Sequence, residues 1–315
     1  MTASTNAHWT VHTLAVDAPV SVLYDLVSDV TVWPAIFGPS VYARPLAHGP
    51  GWERFHLWAL VNGEVRQWTS RREFDPVRRT ITFQQEHSQP PVAAMGGSWS
   101  FRPLPDDRTE IVLAHDFVTD GSPDAAEWIN AALDRNSAEE LSALAHVADS
   151  TTSAEEVVFS FTDTVHFPGD AAAAYEFLFR ADLWAQRLPH VAQVRLDERP
   201  GGVQVLAMST RTADGATHET RSVRVCQPGE WIAYKQQLTP ALLYGHSGVW
   251  TVQQESAGAL VSSRHTVALD RERVATVLGP GTSLAEARDQ VRLTLGRNSR
   301  ATMEFAADHV RRQRA

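Results

Sequence analysis

A serine hydroxyl and an arginine guanidinium recur two residues apart at two places in the chain, as Ser70 with Arg72 and Ser222 with Arg224. In an extended strand, residues two apart point to the same face, so each serine would lie beside its arginine. A fixed guanidinium in a water-poor site can bind a carbonyl oxygen and stabilise the negative charge that develops on it. The pairs therefore suggest carbonyl chemistry. The alternative is a structural ion pair, which is the commoner role of a buried arginine.

The turn Asn62-Gly63 predicts which side chains share a face with the first pair. Asn-Gly between two alternating segments is typical of a two-residue hairpin turn, whose central residues both take positive φ. Counting outward from the turn places Arg72 opposite Glu53, a possible carboxylate partner. The inward face predicted in this way carries Phe55, Leu57, Arg66, Trp68, Ser70 and Arg72.

Asp214-Gly215 is the corresponding turn signal in the second half of the chain. The same counting predicts that Ser222 lies opposite Ala207 and that Arg224 lies opposite Val205. The second arginine would then lack a carboxylate directly across the ladder, although a buried charge needs a partner.

An internal repeat with a step of about 151 residues divides the chain in two. The repeated landmarks are Trp33 and Trp184, Arg72 and Arg224, Trp99 and Trp250, His115 and His265, and, at a larger step, Arg135 and Arg297. The larger step indicates an insertion in the second copy, which we assign to the loop 279–281. We predict two domains, 1–149 and 154–315, joined by a polar linker over 149–153.

Each copy shows the same order of predicted elements. A strand over 8–16 precedes a short helix after Pro19, then come several alternating strands, and a long helix over 123–148 or 283–314 closes each copy. Consecutive strands without intervening helices cannot form a parallel sheet, so the order predicts an α+β fold. We expect each antiparallel sheet to curve around its last helix.

Composition excludes several classes of protein. The 315 residues carry a net charge of −9 and a sequence pI of about 5.8, which argues against a nucleic-acid binder. The single cysteine, Cys226, rules out an internal disulfide framework. The sequence contains no metal-binding or phosphate-binding motif and no apolar run long enough to span a bilayer. We therefore expect no cofactor and a cytoplasmic protein.

Four segments together resemble the polyketide aromatase/cyclases of bacterial aromatic (type II) polyketide synthases. They are 33–37 (WPAIF), 68–72 (WTSRR) with the Asp-Pro at 75–76 behind it, 90–97 (PPVAAMGG) and 134–137 (DRNS). The resemblance covers essentially the whole chain, because the two-copy arrangement is similar to the di-domain members. It implies two tandem helix-grip domains of the START/Bet v 1-like superfamily, each with an interior cavity between sheet and helix.

The family acts on poly-β-ketone chains carried by an acyl carrier protein, closing the first ring by aldol condensation and dehydrating it. The resemblance implies that Arg72 polarises a ketone, that Ser70 binds substrate or relays a proton, and that His115 or Asp116 carries a proton during dehydration. The implied aromatic pocket walls are Trp33, Phe55, Trp68 and Trp99, and the second copy repeats Trp184, Ser222, Arg224 and Trp250. Ser40 stands where some single-domain members have a tyrosine.

Three questions stay open at this stage. The protein could be a non-catalytic carrier of apolar ligands, since cavities of this fold class often only bind. Within the family it could close the ring itself or only aromatise a closed ring, and one or both pockets could work. The expected partners are the acyl carrier protein and possibly the ketosynthase and ketoreductase of the same pathway. Candidate docking residues for the carrier are Arg44, Arg71, Arg78 and Arg79.

Overall fold

Each half of the chain folds as a seven-stranded antiparallel sheet that wraps around one long helix. The computed structural model describes residues 7–148, 152–167, 169–211 and 217–314. Two compact units divide the chain, Met1–Glu155 and Glu156–Ala315. The predicted linker falls mostly outside the described residues.

The first unit has the predicted order of elements. They are β1 (His8–Val16), α1 (Val20–Ser28), α2 (Trp33–Ile36), β2 (Ser40–Gly49), β3 (Trp52–Val61), β4 (Glu64–Asp75), β5 (Thr80–His87), β6 (Val92–Leu104), β7 (Arg108–Thr119) and α3 (Ala125–Val147). The strands lie in the order β1-β7-β6-β5-β4-β3-β2. Every neighbouring pair is antiparallel, and the first strand returns beside the last.

The second unit repeats this topology. Its elements are α4 (Ala154–Val157), β8 (Val158–Phe167), α5 (Ala171–Phe179), α6 (Trp184–Arg187), β9 (Val191–Arg199), β10 (Val203–Arg211), β11 (Thr217–Gln227), β12 (Trp231–Leu238), β13 (Leu243–Glu255), β14 (Gly258–Leu269), α7 (Val274–Leu278) and α8 (Leu284–Arg314). The strand order is β8-β14-β13-β12-β11-β10-β9. The insertion inferred at 279–281 is larger than that loop, because it includes a 3₁₀ turn at Arg271–Arg273 and helix α7.

Apolar spacing explains how the helices are held. In α1, Val20, Leu23 and Val27 recur at intervals of three and four, and all are buried. Helix α3 likewise buries Ile129 and Leu144 among its inner residues. Within the described part of the chain, no helix is both long and apolar enough to cross a membrane.

The first hairpin has the predicted register. Asn62 and Gly63 both have positive φ, at 51° and 83°. Arg72 consequently pairs with Glu53 across β3 and β4. Local turn chemistry was sufficient here because a two-residue loop leaves no freedom in the pairing.

The predicted register of the second hairpin is wrong by one residue. Arg224 pairs with Gln204 rather than Val205, and Ser222 pairs with Leu206 rather than Ala207. The last pair described is Arg211 with Thr217. This leaves 212–216 as an odd-numbered connection, whereas a two-residue turn needs an even one. The Asp214-Gly215 signal itself lies outside the described residues.

Candidate functional site

The candidate site is a cavity in the first unit, between the concave face of the sheet and helix α3. Its volume is about 1170 Å³ when the space open to solvent at its mouth is included. Most of its lining is apolar. The sequence-predicted residues that line it are Trp33, Phe55, Trp68, Ser70, Arg72, Trp99 and His115. Aromatic walls and a few polar groups are the usual composition of a small-molecule site.

Arg72 is held rigidly at one wall of the cavity. Its side chain is 0% exposed. Nε donates to Glu53 Oε1 at 2.9 Å, and Nη2 also donates to this carboxylate. Nη1 donates to Val27 O at 2.7 Å and Nη2 to Ser28 O at 2.6 Å, at the carboxyl end of α1, where the helix dipole favours a cation. Four of the five guanidinium N–H groups are therefore committed, and one on Nη1 remains.

Aromatic rings frame this guanidinium. Its Cζ atom lies 4.9 Å from the Trp33 ring centroid, 5.3 Å from that of Phe55 and 5.0 Å from that of Phe74. Burial lowers the pKa of Arg72, and the Glu53 carboxylate opposes that shift. The sequence alternatives of ion pair and carbonyl binder are thus not exclusive. The ion pair fixes the guanidinium, and the remaining N–H is available to a ligand.

Two hydroxyls line the same cavity. Ser70 is 3% exposed and lies two residues before Arg72 on β4, on the same face. Ser40, at the start of β2, is 2% exposed and also lines the cavity. The position where some relatives have a phenol therefore still presents a hydroxyl, although a shorter and less acidic one.

His115 reaches the cavity from β7. Burial lowers the pKa of this imidazole to about 4, so it is neutral at neutral pH. Its ring lies edge-on to Phe83, with centroids 5.4 Å apart. The buried Nδ1 has no hydrogen-bond partner among the residues that the structure describes. A neutral imidazole in such a position can accept or relay a proton.

Asp116 does not belong to the cavity, contrary to its assignment from sequence. It follows His115 on β7 and therefore points to the opposite face of the sheet. There it pairs with Trp9, which is 72% exposed, and with Gly96. A Cβ added to Gly96 would lie 3.1 Å from the Asp116 carboxylate. A proton-transfer role in this cavity is excluded by that geometry.

Glu140 is a cavity residue that the sequence analysis missed. It lies on α3 and its side chain lines the cavity. Burial, with a smaller contribution from Glu139, raises the pKa of Glu140 to about 8. The carboxyl is therefore mostly protonated at neutral pH. The signal was present, because Glu140 falls midway between Leu133 and Val147 in a heptad-spaced row whose other members are buried.

The second unit keeps the arginine and changes its surroundings. Arg224 Nη2 donates to Leu178 O at 2.6 Å, and Cζ lies 5.5 Å from the Trp184 ring centroid. Its ladder partner Gln204 takes the place of the carboxylate, and Gln204 Nε2 donates to Glu198 Oε1 at 3.0 Å instead. Arg224 Nη1 is buried without a partner in the described chain.

The other predicted pocket residues of the second unit lie in its packed interior. Trp184 and Trp250 belong to one buried hydrophobic cluster together with Leu206 and Met303. Ser222, 9% exposed, lies on β11 two residues before Arg224. Their proposed contact with substrate has no support from an observed cavity wall, in contrast to Trp33 and Trp99.

His265, the counterpart of His115, is tied into a buried polar network. Its Nδ1 lies 2.9 Å from His246 Nε2 and 3.2 Å from the Tyr234 hydroxyl. Its Nε2 lies 3.2 Å from Ser263 Oγ, and His246 Nδ1 lies 3.0 Å from Gln236 Oε1. Burial lowers the pKa of His265 to about 4. Both ring nitrogens of this histidine therefore have protein partners.

A metal site has no support in the described ranges, where no group of three or more His, Cys, Asp or Glu side chains is arranged to hold an ion. Glu140 and His115 are the titratable side chains of the cavity with strongly shifted pKa values. Their pKa values are shifted in opposite senses, one acid held neutral and one base held neutral. Such a pair is typical of a site for proton transfer.

Comparison with known proteins gives consistent relatives. Residues 16–141 match the family described as "Polyketide cyclase / dehydrase and lipid transport". The chain is 53% identical, over 98% of its length and 96% of the relative, to the granaticin polyketide synthase bifunctional cyclase/dehydratase of Streptomyces violaceoruber. It is 49% identical, over 95% of its length and 96% of the relative, to the actinorhodin polyketide synthase bifunctional cyclase/dehydratase of Streptomyces coelicolor.

Solved structures of similar length agree. The di-domain ARO/CYC BexL of the BE-7585A biosynthetic pathway superposes with a TM-score of 0.80 at 45% identity, covering 96% of this chain and 98% of BexL. The di-domain ARO/CYC StfQ of the steffimycin biosynthetic pathway gives a TM-score of 0.78 at 33% identity, covering 96% of this chain and 99% of StfQ. The predicted tandem helix-grip α+β fold is confirmed.

Proposed function

The chain belongs to the polyketide synthase bifunctional cyclase/dehydratases, and from this premise we propose that the cavity of its first unit closes and dehydrates the first ring of a carrier-bound poly-β-ketone. The observation that carries the proposal is the set of groups around one apolar cavity. A locked guanidinium and a hydroxyl lie on β4, a neutral imidazole on β7 and a protonated carboxyl on α3.

Ring closure needs a folded chain and a place for negative charge. The methylene between two ketones is a fairly acidic carbon, so its enol can attack a distant ketone carbon without a strong base. The new carbon–carbon bond forms as the ketone C=O becomes an alkoxide, which takes up the proton lost from the attacking carbon. Arg72 and Ser70 donate hydrogen bonds to this oxygen, and a preorganised donor of this kind contributes on the order of 3 to 4 kcal/mol.

Dehydration needs an acid for the leaving oxygen and a base for the carbon proton. Glu140, neutral at pH 7, gives its proton to the hydroxyl as the C–O bond breaks. The proton on the neighbouring carbon passes to the Glu140 carboxylate, directly or through His115. The products are the aromatic ring and one water molecule, and the acid is regenerated. A pKa near the working pH suits a group that acts in both directions.

The first unit is the better candidate for this chemistry. Aligning the Arg-Asn-Ser segments of the two long helices sets Thr302 of α8 where α3 has Glu140, so the acid is missing. His265 already uses both ring nitrogens, whereas His115 Nδ1 has no partner in the described chain. Substrate contacts by Arg224, Ser222, Trp184 and Trp250 are therefore not part of our proposal.

The acyl carrier protein must present the chain at the cavity mouth. The rim is formed by the β3–β4 hairpin, the loop before β6 and Trp128 at the start of α3. Arg78 and Arg79 lie at the opposite end of β4, and Arg71 lies on the outward face of that strand. The proposed docking surface is therefore the rim and not the set of arginines suggested by sequence.

The test is reconstitution with a carrier-bound poly-β-ketone and analysis of the released products. Native protein should yield the dehydrated first ring, and Glu140→Gln should accumulate the cyclised alcohol. Glu139→Gln, next to it on an exposed face of α3, is the matched control and should behave as native. A non-catalytic carrier would bind the chain with neither ring closure nor loss of water, and that result from native protein would overturn the proposal.

A further inference from the structure

A second arginine faces the cavity on the same strand as Arg72. Arg66 lies on β4 near the hairpin, and its side chain lines the cavity. Residues 66, 68, 70 and 72 alternate inward along β4, so the two guanidinium groups share one wall. At roughly 3.3 Å per residue their backbone positions are separated by about 20 Å. Arg72 lies deep in the unit and Arg66 lies at the rim.

Arg66 has donors to spare. Nη2 donates to Glu64 Oε2 at 2.9 Å, but Glu64 is 66% exposed, and such surface ion pairs are weak. The guanidinium Cζ lies 5.8 Å from the Trp128 ring centroid. Nε is buried and has no acceptor in the described part of the chain. A buried N–H without an acceptor is unfavourable, so this position suits a ligand that brings an oxygen atom.

The rim that carries Arg66 is fixed relative to helix α3. Asn62 Nδ2 donates to Trp128 O at 3.4 Å, and Arg135 Nη2 donates to Asn62 Oδ1 at 2.6 Å. Asn136 Nδ2 donates to Leu60 O at 3.2 Å. The hairpin is therefore tied to the helix on both sides of its tip. The spacing between the rim and the deep end is a property of the folded unit.

We infer that Arg66 binds a carbonyl oxygen at the thioester end of the chain and thereby sets which ketone reaches Arg72. This inference rests on the proposed function of the cavity. A poly-β-ketone has an oxygen on every second carbon, so the apolar walls contact nearly the same surface when the chain slides by two carbons. Two fixed cations distinguish these registers, because both must meet an oxygen. Arg66 is a positioning residue for the site of ring closure.

The first measurement is binding. A pantetheine thioester of a non-cyclising chain with oxygen acceptors at the ketone positions is titrated against tryptophan fluorescence. Arg66→Gln should raise the Kd about tenfold, as expected for loss of a charged hydrogen bond. Arg66→Lys keeps the charge without the planar donor set and should give an intermediate value. Arg71→Gln is the matched control, since Arg71 lies on the same strand and faces outward.

The second measurement is the position of the ring. With the carrier-bound chain, Arg66→Gln should lower the fraction of correctly closed ring and increase products closed at neighbouring ketones. A purely structural role would reduce folded protein without changing this ratio. A Kd and a product ratio within twofold of native for folded Arg66→Gln would overturn the inference, as would an equal effect of Arg71→Gln. If native protein closes no ring, the proposed function fails, and the binding series still decides the role of Arg66.

Discussion

Arg72 and Glu53 form a buried ion pair across β3 and β4, and at the same place in the second unit Arg224 faces Gln204. The two units thus share a fold and an arginine but differ in how that charge is compensated. In the first unit the carboxylate and two helix-end carbonyls hold the guanidinium against the cavity. In the second unit one carbonyl contact holds it, and no carboxylate accepts a hydrogen bond from it among the described residues.

Glu53→Gln should destabilise the first unit. Removing one partner of a buried ion pair leaves the other charge uncompensated, which typically costs about 3 to 5 kcal/mol. The Glu53 side chain is 18% exposed, so the lower end of that range is expected. Urea unfolding followed by tryptophan fluorescence measures the change. Glu73→Gln breaks an exposed ion pair with Arg71 and should lower stability by less than about 1 kcal/mol; equal effects of the two variants would contradict the assignment.

Arg72→Met and Arg224→Met should separate the two units by function. The first substitution removes the proposed donor to the reacting oxygen and should reduce first-ring product by about a hundredfold or more. The second replaces a buried arginine with an apolar side chain of similar length and should leave the product unchanged. Product analysis with folded variants decides the matter. Loss of product in Arg224→Met alone would move the chemistry to the second unit.

Glu140 should make the first unit less stable at alkaline pH. Its pKa rises from 4.5 in the unfolded chain to about 8 in the folded one. The folded state therefore binds the proton more tightly, and this contribution is complete below pH 4.5 and is lost as the pH rises to about 8. Unfolding midpoints of native protein and Glu140→Gln should converge at acid pH and diverge in favour of the variant above pH 8. Parallel pH profiles would show that the carboxyl is ionised in the folded protein.

The buried histidines of the second unit should make it sensitive to acid. The pKa of His265 falls from 6.5 to about 4 on folding, because burial disfavours the charged ring, and burial lowers that of His246 as well. The unfolded chain therefore binds protons more tightly, and stability is lost as the pH falls from about 6.5 toward 4. Thermal unfolding of native protein and His246→Gln between pH 7 and 4.5 measures this. A steeper loss in the variant than in native protein would refute the explanation.

Short-range sequence information determined the fold order and the first hairpin. The two-residue turn at Asn62-Gly63 fixes the pairing of its strands, and strand alternation then aligns Trp68, Ser70 and Arg72 on one face. The repeat determined that the second half would have the same topology. These conclusions depend on contacts close in sequence or on similarity within the chain, and neither requires knowledge of distant packing.

Only the tertiary structure decided which groups share the cavity. His115 and Asp116 are neighbours in sequence and lie on opposite faces of β7, whose register no adjacent turn signal had established. Glu140 is acidic in sequence and mostly neutral at pH 7 in the fold, because its pKa depends on burial among residues far along the chain. The register of Arg224 depended on the number of residues that connect its strands. Burial and long-range pairing are properties of the assembled unit, so the chemistry of the site followed from the fold and not from spacing alone.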